Sequence, residues 1–191
     1  MTVPAAGLVL AAGLSTRFGS DKLMAPFRRR PLLQHALDAA MAARLQPVVV
    51  VVAGEPAGID WHGAQRLVNP QPERGLASSL RLGLAALAAG PAERAVILLG
   101  DQPLVSAAAI RALLAAAGRA PIVVPRYAAG GPRNPVVVGR AAWPLADHLT
   151  GDAGYSQLFA DRPELVALID VAGANPDVDT PADLARISRG A

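Results

Sequence analysis

The sequence predicts a three-layer α/β fold with a mostly parallel, mixed sheet, and three observations predict it. Apolar runs such as PVVVVVA (47–53) and RAVILLG (94–100) show no alternation, which suits strands covered on both faces. Stretches of helical composition separate those runs, in the strand-then-helix order of an α/β protein. Apolar residues make up 52% of the 191 residues and aromatics only 4%, so the core is built from Ala, Val and Leu. Small side chains of that kind let helices pack closely on a sheet.

Taken in order, the first strand is expected at 5–11, where the run AAGLVLA ends in small residues. A helix follows over 31–45, with Pro31 at its start and His35 as a surface or packed residue in its apolar pattern. The second strand is 47–53. The helix at 76–89 is too short, and too interrupted by Arg81, to span a bilayer. Strand 94–99 leads to helix 106–118, where Ser106 sits at the expected cap. Strands at 121–125 and 134–138 precede two stretches of helical composition, 141–149 and 154–160. A last strand, 165–171, is followed by helix 180–189, with Thr180 at its start and Pro181 in the first-turn position it tolerates. There is no fixed repeat and no long polar linker, so one domain over 1–191 is expected.

Composition also excludes function classes. The absence of cysteine removes disulfides, thiolate metal sites and a cysteine nucleophile. His35, His62 and His148 lie far apart, without the spacing of a zinc site. The formal charge is only +3, and the one dense basic run, Arg28-Arg29-Arg30, has no interleaved aromatics beyond Phe27. It reads as a solvated turn and not as a nucleic-acid surface. No nucleic-acid or membrane partner is expected, and the chain is expected to be a cytoplasmic monomer.

The chemistry concentrates in three short stretches. In GLVLAAGLSTRFGSDKL (7–23) the basic residues follow the apolar run, whereas a secretory leader needs them before it. Cleavage after Ala11 or Ala12 would also remove the first core strand. The run therefore reads as a strand, with Leu10, Ala11 and Ala12 at its end, opening into a loop built for an anion. Gly13 and Gly19 let the backbone curl so that N–H groups converge, Ser15 offers a hydroxyl or a turn cap, and Arg17 and Lys22 supply cations. Neither GxxxxGK[ST] nor GxGxxG is present, so this is neither a P-loop nor a dinucleotide fingerprint.

The second stretch, AVILLGDQP, sets Asp101 just beyond an apolar strand, at the end of a sheet where ligands bind in α/β folds. A carboxylate beside a polyphosphate site is a natural Mg²⁺ ligand, and a turn-former before Pro103 is the structural alternative. The third, NPDVDTPADL, places Asp177 and Asp179 on one face of an extended segment, although Asp179 or Thr180 can equally cap the following helix. A fourth segment, GLASSLRLG (75–83), presents Ser78 and Ser79 near a helix start, where they can read a base or simply serve the helix.

These stretches together resemble the nucleotidyltransferases of molybdenum cofactor maturation. The family pattern LAAGxSxRFGxxK is met by Leu10-Ala11-Ala12-Gly13, Ser15, Arg17-Phe18-Gly19 and Lys22; GDQP by Gly100 to Pro103; and DxDTPxDL by Asp177, Asp179-Thr180-Pro181 and Asp183-Leu184. The resemblance spans about residues 7–187 and implies a Rossmann-like nucleotidyltransferase fold. Ala12, where guanylyl-transferring relatives usually carry a second glycine, makes the chain look more like the cytidylyl-transferring branch. What the resemblance implies is transfer of CMP from CTP to the terminal phosphate of molybdopterin, with Mg²⁺ and with release of pyrophosphate. Arg17, Lys22 and Asp101 would be catalytic, and Asp177 or Asp179 would join Asp101 on the metal. Asn69, Gly75, Ser78 and Ser79 would hold base and ribose.

Two departures fall on the acceptor side. The family's GDxGAR reads Gly151-Asp152-Ala153-Gly154-Tyr155-Ser156, without the arginine, and its Gly-His-Pro reads Arg133-Asn134-Pro135. Arg133, Asn134, Gly151 and Asp152 are thus the expected acceptor contacts, with Arg133 in place of the missing cation. The rivals are the same chemistry on another phosphorylated acceptor or with GTP, and a non-catalytic partner that delivers cofactor to a molybdoenzyme. An oxidoreductase is also a rival, though no flavin or nicotinamide motif supports it.

Overall fold

Chain order gives β1 (Ala5–Ala11), a two-residue hairpin of β2 (Pro26–Phe27) and β3 (Arg30–Pro31), α1 (Leu32–Ala42), β4 (Val48–Val52) and β5 (Gln65–Val68). It continues with α2 (Leu76–Ala88), β6 (Arg94–Leu99), α3 (Ala107–Ala116), β7 (Ile122–Tyr127) and β8 (Val136–Gly139). The chain ends with α4 (Leu158–Asp161), β9 (Val166–Val171) and α5 (Pro181–Arg189). The structure, a computed structural model, describes residues 4–189. The outermost positions of the expected 1–191 unit, 1–3 and 190–191, lie outside the described residues.

Seven strands form one sheet in the order β5-β4-β1-β6-β8-β7-β9. All its neighbouring pairs are parallel except those made by β8, which runs against both β6 and β7. The sheet is therefore mostly parallel and mixed, as expected. β6 is the central strand, and β1 beside it is an interior strand, with Leu8 paired to Val49 on one side and to Ile97 on the other.

Because strand side chains alternate, this one sheet feeds two cores. Leu8 and Leu10 join Val49, Val51 and the α2 residues Leu80 and Leu84 on one face. Val9 and Ala11 join Val50 and Val52, with Leu33 and Leu37 of α1 and Ile110 and Leu113 of α3, on the other. Burial on both sides is what the unbroken apolar runs encode. Each fully buried Leu or Val contributes about 1.5–3 kcal/mol. Ser106 caps α3 by accepting the Ala109 N–H at 3.1 Å, and Arg28 and Arg29 form the positive-φ turn between β2 and β3.

Three expectations change. The stretch 141–149 is a 3-10 helix, Arg140–His148, because Pro144 inside it cannot donate an α-helical hydrogen bond. The expected helix 154–160 is a 3-10 turn at Tyr155–Gln157 followed by the single turn of α4. β5 and the β2–β3 hairpin were not anticipated. β5 is a sheet edge of sequence QRLV, largely exposed and without an apolar run.

Candidate active site

Strands β1 and β6 lie side by side, and the chain leaves them in opposite directions: β1 leads toward β4 and β5, β6 toward the far half of the sheet. Such a switch point opens a crevice at the carboxyl ends of the strands. A cleft of about 470 Å³ lies there. Leu10, Ala11 and Ala12 close its floor at the end of β1, and Gly13, Ser15, Arg17 and Lys22 line its wall.

The loop is held by its own polar groups. Ser15 takes a positive φ of 54°, and its Oγ accepts the Lys22 N–H at 3.3 Å, which draws the two ends of the loop together. Asp21 caps the turn Lys22–Met24, its Oδ1 accepting the Leu23 N–H at 3.1 Å. Gly19, at φ 79°, lies on the far side of the loop and lines a second cleft of about 540 Å³ with Gly54 and Glu55.

Asp101 stands two residues beyond the end of β6, just after Gly100. Its backbone carbonyl accepts the Val178 N–H at 3.0 Å. Val178 is fully buried against Phe27, Leu32 and Ile187, so Asp177 and Asp179 flank an anchored residue. Both carboxylates line the cleft with Asp101. The resulting charge cluster is dense. Lys22 Nζ donates to Asp101 Oδ2 at 2.6 Å and to Asp179 Oδ1 at 3.0 Å. Arg17 reaches the other Asp179 oxygen at 3.2 Å.

Burial acts to lower the Lys22 pKa, but the charges and hydrogen bonds of Asp101 and Asp179 outweigh it and hold the ammonium above its ordinary value. For Asp177, burial raises the carboxyl above the usual range. The Gln102 hydrogen bond opposes that rise, and the charges of Asp101 and Asp179 add to it. Asp101 Oδ1 is buried and has no hydrogen-bond partner among the described residues. An anionic oxygen so placed is costly alone and fits a hard cation. The three carboxylates do not form a ready-made ligand set, however. Among the described residues, no group of three or more His, Asp or Glu is arranged to hold a metal ion. Asp101 and Asp179 share Lys22, while Asp177 accepts from Gln102.

Opposite the loop, Gly75, Leu76 and Ser79 bring the N-terminus of α2, with its positive dipole end, to the cleft. Gly75 is required there. Its φ is 80°, and a Cβ would lie 2.5 Å from Gly151 O. Gly151 lies behind that start, its carbonyl accepting the Ala77 N–H at 3.0 Å, and the adjacent Asp152 lines the cleft. Asn69 and Ser78 do not line it. Asn69 is buried, with its amide donating to Ser78 Oγ at 2.8 Å and to Ser79 Oγ at 2.9 Å, so it shapes the helix start from behind. Arg133 and Asn134 do not line it either; Arg133 is exposed, and Asn134 presents its backbone carbonyl to Tyr127 and Asn175.

The sequence reading passed over Gln102 and Asn175, although both lie inside motifs it quoted. Both are 1% exposed. It also passed over Glu73, which joins Asp152 on the cleft wall.

Comparison with known proteins agrees with this fold. Residues 7–167 match the MobA-like NTP transferase domain. The purine catabolism protein PucB of Bacillus subtilis is 29% identical over 96% of this chain and 95% of its own. Nicotine blue oxidoreductase of Paenarthrobacter nicotinovorans is 28% identical over 95% of each. The crystal structure of Rv0371c from Mycobacterium tuberculosis superimposes with a TM-score of 0.86 at 31% identity, covering 99% of this chain and 100% of that one. A manganese complex of Rv0371c superimposes with a TM-score of 0.76 at 27% identity, over 97% and 98% of the two chains. Fold, cleft and the match over most of its length agree: the chain belongs to the MobA-like NTP transferase domain family and is a nucleotidyltransferase.

Proposed function

We propose that this enzyme transfers CMP from CTP to the terminal phosphate of a molybdopterin-type acceptor, with Mg²⁺, in the cytoplasm and as a monomer. The observation that carries the reading is the meeting of the Gly13–Lys22 loop with Asp101, Asp177 and Asp179 on one cleft. Support for CTP over GTP comes from Ala12 in the floor, where guanylyl-transferring relatives usually have glycine. Support for a divalent ion comes from the unpartnered Asp101 Oδ1 and from the manganese complex of Rv0371c.

In the reaction an acceptor phosphate oxygen forms a bond to the α-phosphorus of CTP, and the bond from that phosphorus to the β-phosphate oxygen breaks. No residue need become covalently attached, so the chain's task is to position anions and neutralise their charge. Arg17 and Lys22 face the triphosphate from the loop. The carboxylates that hold the Lys22 ammonium charged also fix where it stands. The α2 N-terminus turns its positive dipole end to the opposite side of the cleft, which Ser79 also lines. Asp101 with Asp177 or Asp179 would hold Mg²⁺, which would supply charge neutralisation for the triphosphate and the departing pyrophosphate.

A second reading has its own observation. Asp152 and Glu73 line the cleft while Arg133 does not, so the acceptor segments bring it one carboxylate, beside that of Glu73, and no arginine. That arrangement favours the same chemistry on a less anionic phosphorylated acceptor.

One experiment tests both readings. Pyrophosphate release is measured with each of the four NTPs, with Mg²⁺ or EDTA, and with or without molybdopterin. Release that needs CTP, metal and molybdopterin together is the expected result. CTP binding without release under any of these conditions would overturn the acceptor, and release with GTP alone would overturn the nucleotide.

A further inference from the structure

Behind Asp177 lies a chain of neutral groups whose polarity is set by its far end. Asn134 offers a backbone carbonyl, which can only accept. Asn175 Nδ2 donates to it at 3.3 Å and to Gln102 Oε1 at 3.0 Å. Gln102 Nε2 in turn donates to Asp177 Oδ1 at 2.7 Å. A side-chain amide can be turned end for end, exchanging acceptor for donor. Here both turns are forbidden. Reversing Asn175 would set its oxygen against two carbonyl oxygens, and reversing Gln102 would set an oxygen against a carboxylate.

The far end is itself secured. Tyr127 Oη donates to the same Asn134 carbonyl at 2.8 Å. Burial pushes the Tyr127 phenol up to about 12, against a smaller lowering by Asn175, so it stays protonated and a donor. The arrangement is dry, since Gln102 and Asn175 are each 1% exposed. It is also not optimal for its own members: Asn175 Oδ1 is buried without a partner, a loss that an apolar residue would avoid.

We infer that Asn175 and Gln102 are positioning residues that orient the Asp177 carboxylate toward the metal, through a one-way hydrogen-bond relay anchored on the Asn134 carbonyl. The inference rests on the proposed reading that a divalent ion binds in this cleft. Asp177 sits on an irregular segment, and the 2.7 Å bond from Gln102 removes its freedom to rotate. One oxygen is committed to the amide, and the residue itself lines the cleft, which leaves the second oxygen for a ligand there. Asn175 acts only through Gln102, by keeping the NH₂ end of the glutamine on the carboxylate side. The relay also joins the loop between β7 and β8 to the metal side of the cleft, two regions that share no other function.

The test is a double-mutant cycle on Gln102→Met, Asn175→Ala and the pair, with two readouts. The first is the affinity for Mn²⁺ alone, followed by electron paramagnetic resonance of the free ion. The second is the separate kcat and KM for CTP. Each single variant should weaken Mn²⁺ binding by roughly 10- to 100-fold, as expected when a ligand loses its orienting partner. Transfer should lose kcat with little change in KM. The pair should be no worse than Gln102→Met alone, because Asn175 has no route of its own.

Unchanged Mn²⁺ affinity in both singles, or a double variant whose loss is the product of the two, would overturn the relay. Should Asn175→Ala fail to fold, Asn175→Asp supplies the same arm of the cycle: its carboxylate faces the same two carbonyl oxygens and must release Gln102. Affinity for Mn²⁺ is read without nucleotide, so the relay is judged even if CTP or molybdopterin proves to be the wrong substrate. Failure of wild-type turnover with intact Mn²⁺ binding would count against the functional reading alone.

Discussion

Lys22 Nζ lies 2.6 Å from Asp101 Oδ2, across 79 positions of sequence. One residue comes from the loop after the first strand and the other from the end of its parallel neighbour. The pairing of β1 with β6 is therefore also what brings cation to carboxylate. Asp101→Asn keeps the shape and removes the charge. It should lower transfer by on the order of 10²–10³-fold, the scale of losing one preorganised electrostatic group. Its unfolding midpoint should stay close to wild type, because Lys22 retains Asp179; steady-state rates and thermal unfolding check both.

Removing the cation has a different signature. In Lys22→Met, Asp101 and Asp179 lose their shared partner and face each other in a poorly solvated cleft. A loss of about 1–3 kcal/mol of stability at neutral pH is expected, together with loss of transfer. The folded-state pKa of Lys22 is raised above 10.5. The stability it contributes is therefore fully present below 10.5 and is lost as pH rises through the raised value. Thermal unfolding at pH 7 and pH 11 should show the wild type losing its advantage over the variant at the alkaline end.

Gly75→Ala should damage the nucleotide side of the cleft from behind. A Cβ at a φ of 80°, placed against Gly151, forces the start of α2 away from the 150–152 segment. Strain of this kind costs about 1–3 kcal/mol. The KM for the nucleotide should rise more than kcat falls, because the displaced element binds and does not react. Initial rates over a range of nucleotide concentrations separate the two.

Asp183 secures the last helix beside Asp179. Its Oδ2 accepts from Thr180 Oγ1 at 2.7 Å and from the Thr180 N–H at 2.9 Å, while the Asp183 N–H returns a bond to Thr180. The Thr180 hydroxyl bond, followed by the backbone bonds, holds the Asp183 carboxyl below its usual value of 3.8. The stability it contributes is therefore present above 3.8 and lost as pH falls through the lowered value. Asp183→Asn should cost about 1 kcal/mol at pH 7, as loss of a helix cap does. The difference from wild type should shrink in strong acid, as unfolding curves at pH 7 and pH 2 would show.

Legibility in the sequence tracked the physics of each element. β1, β4 and β6 were readable because burial on both faces demands unbroken apolar runs. β5 was not, since an exposed edge strand needs only four residues with no such run. The direction of β8 was also invisible: VVVG reads alike either way, and only its neighbours set its sense. Pro144 was the missed clue that 140–148 would be 3-10. At the site, charged residues and glycines drew attention because their chemistry is explicit. Gln102 and Asn175 carry no charge, and their part lies wholly in whom they face. Arg133 is the opposite case, a cation chosen by type that does not line the cleft.

The reversal of β8 has a wider consequence. With β8 antiparallel, the chain leaves β7 and begins β8 on the cleft side of the sheet, so residues 128–135 hang as a hairpin loop at its rim. Neither flanking strand depends on the length of that loop for its register. The tip of that loop can therefore change in length without disturbing the β1–β6 seam where the nucleotide half is built, provided the Asn134 carbonyl keeps its place against Tyr127 and Asn175.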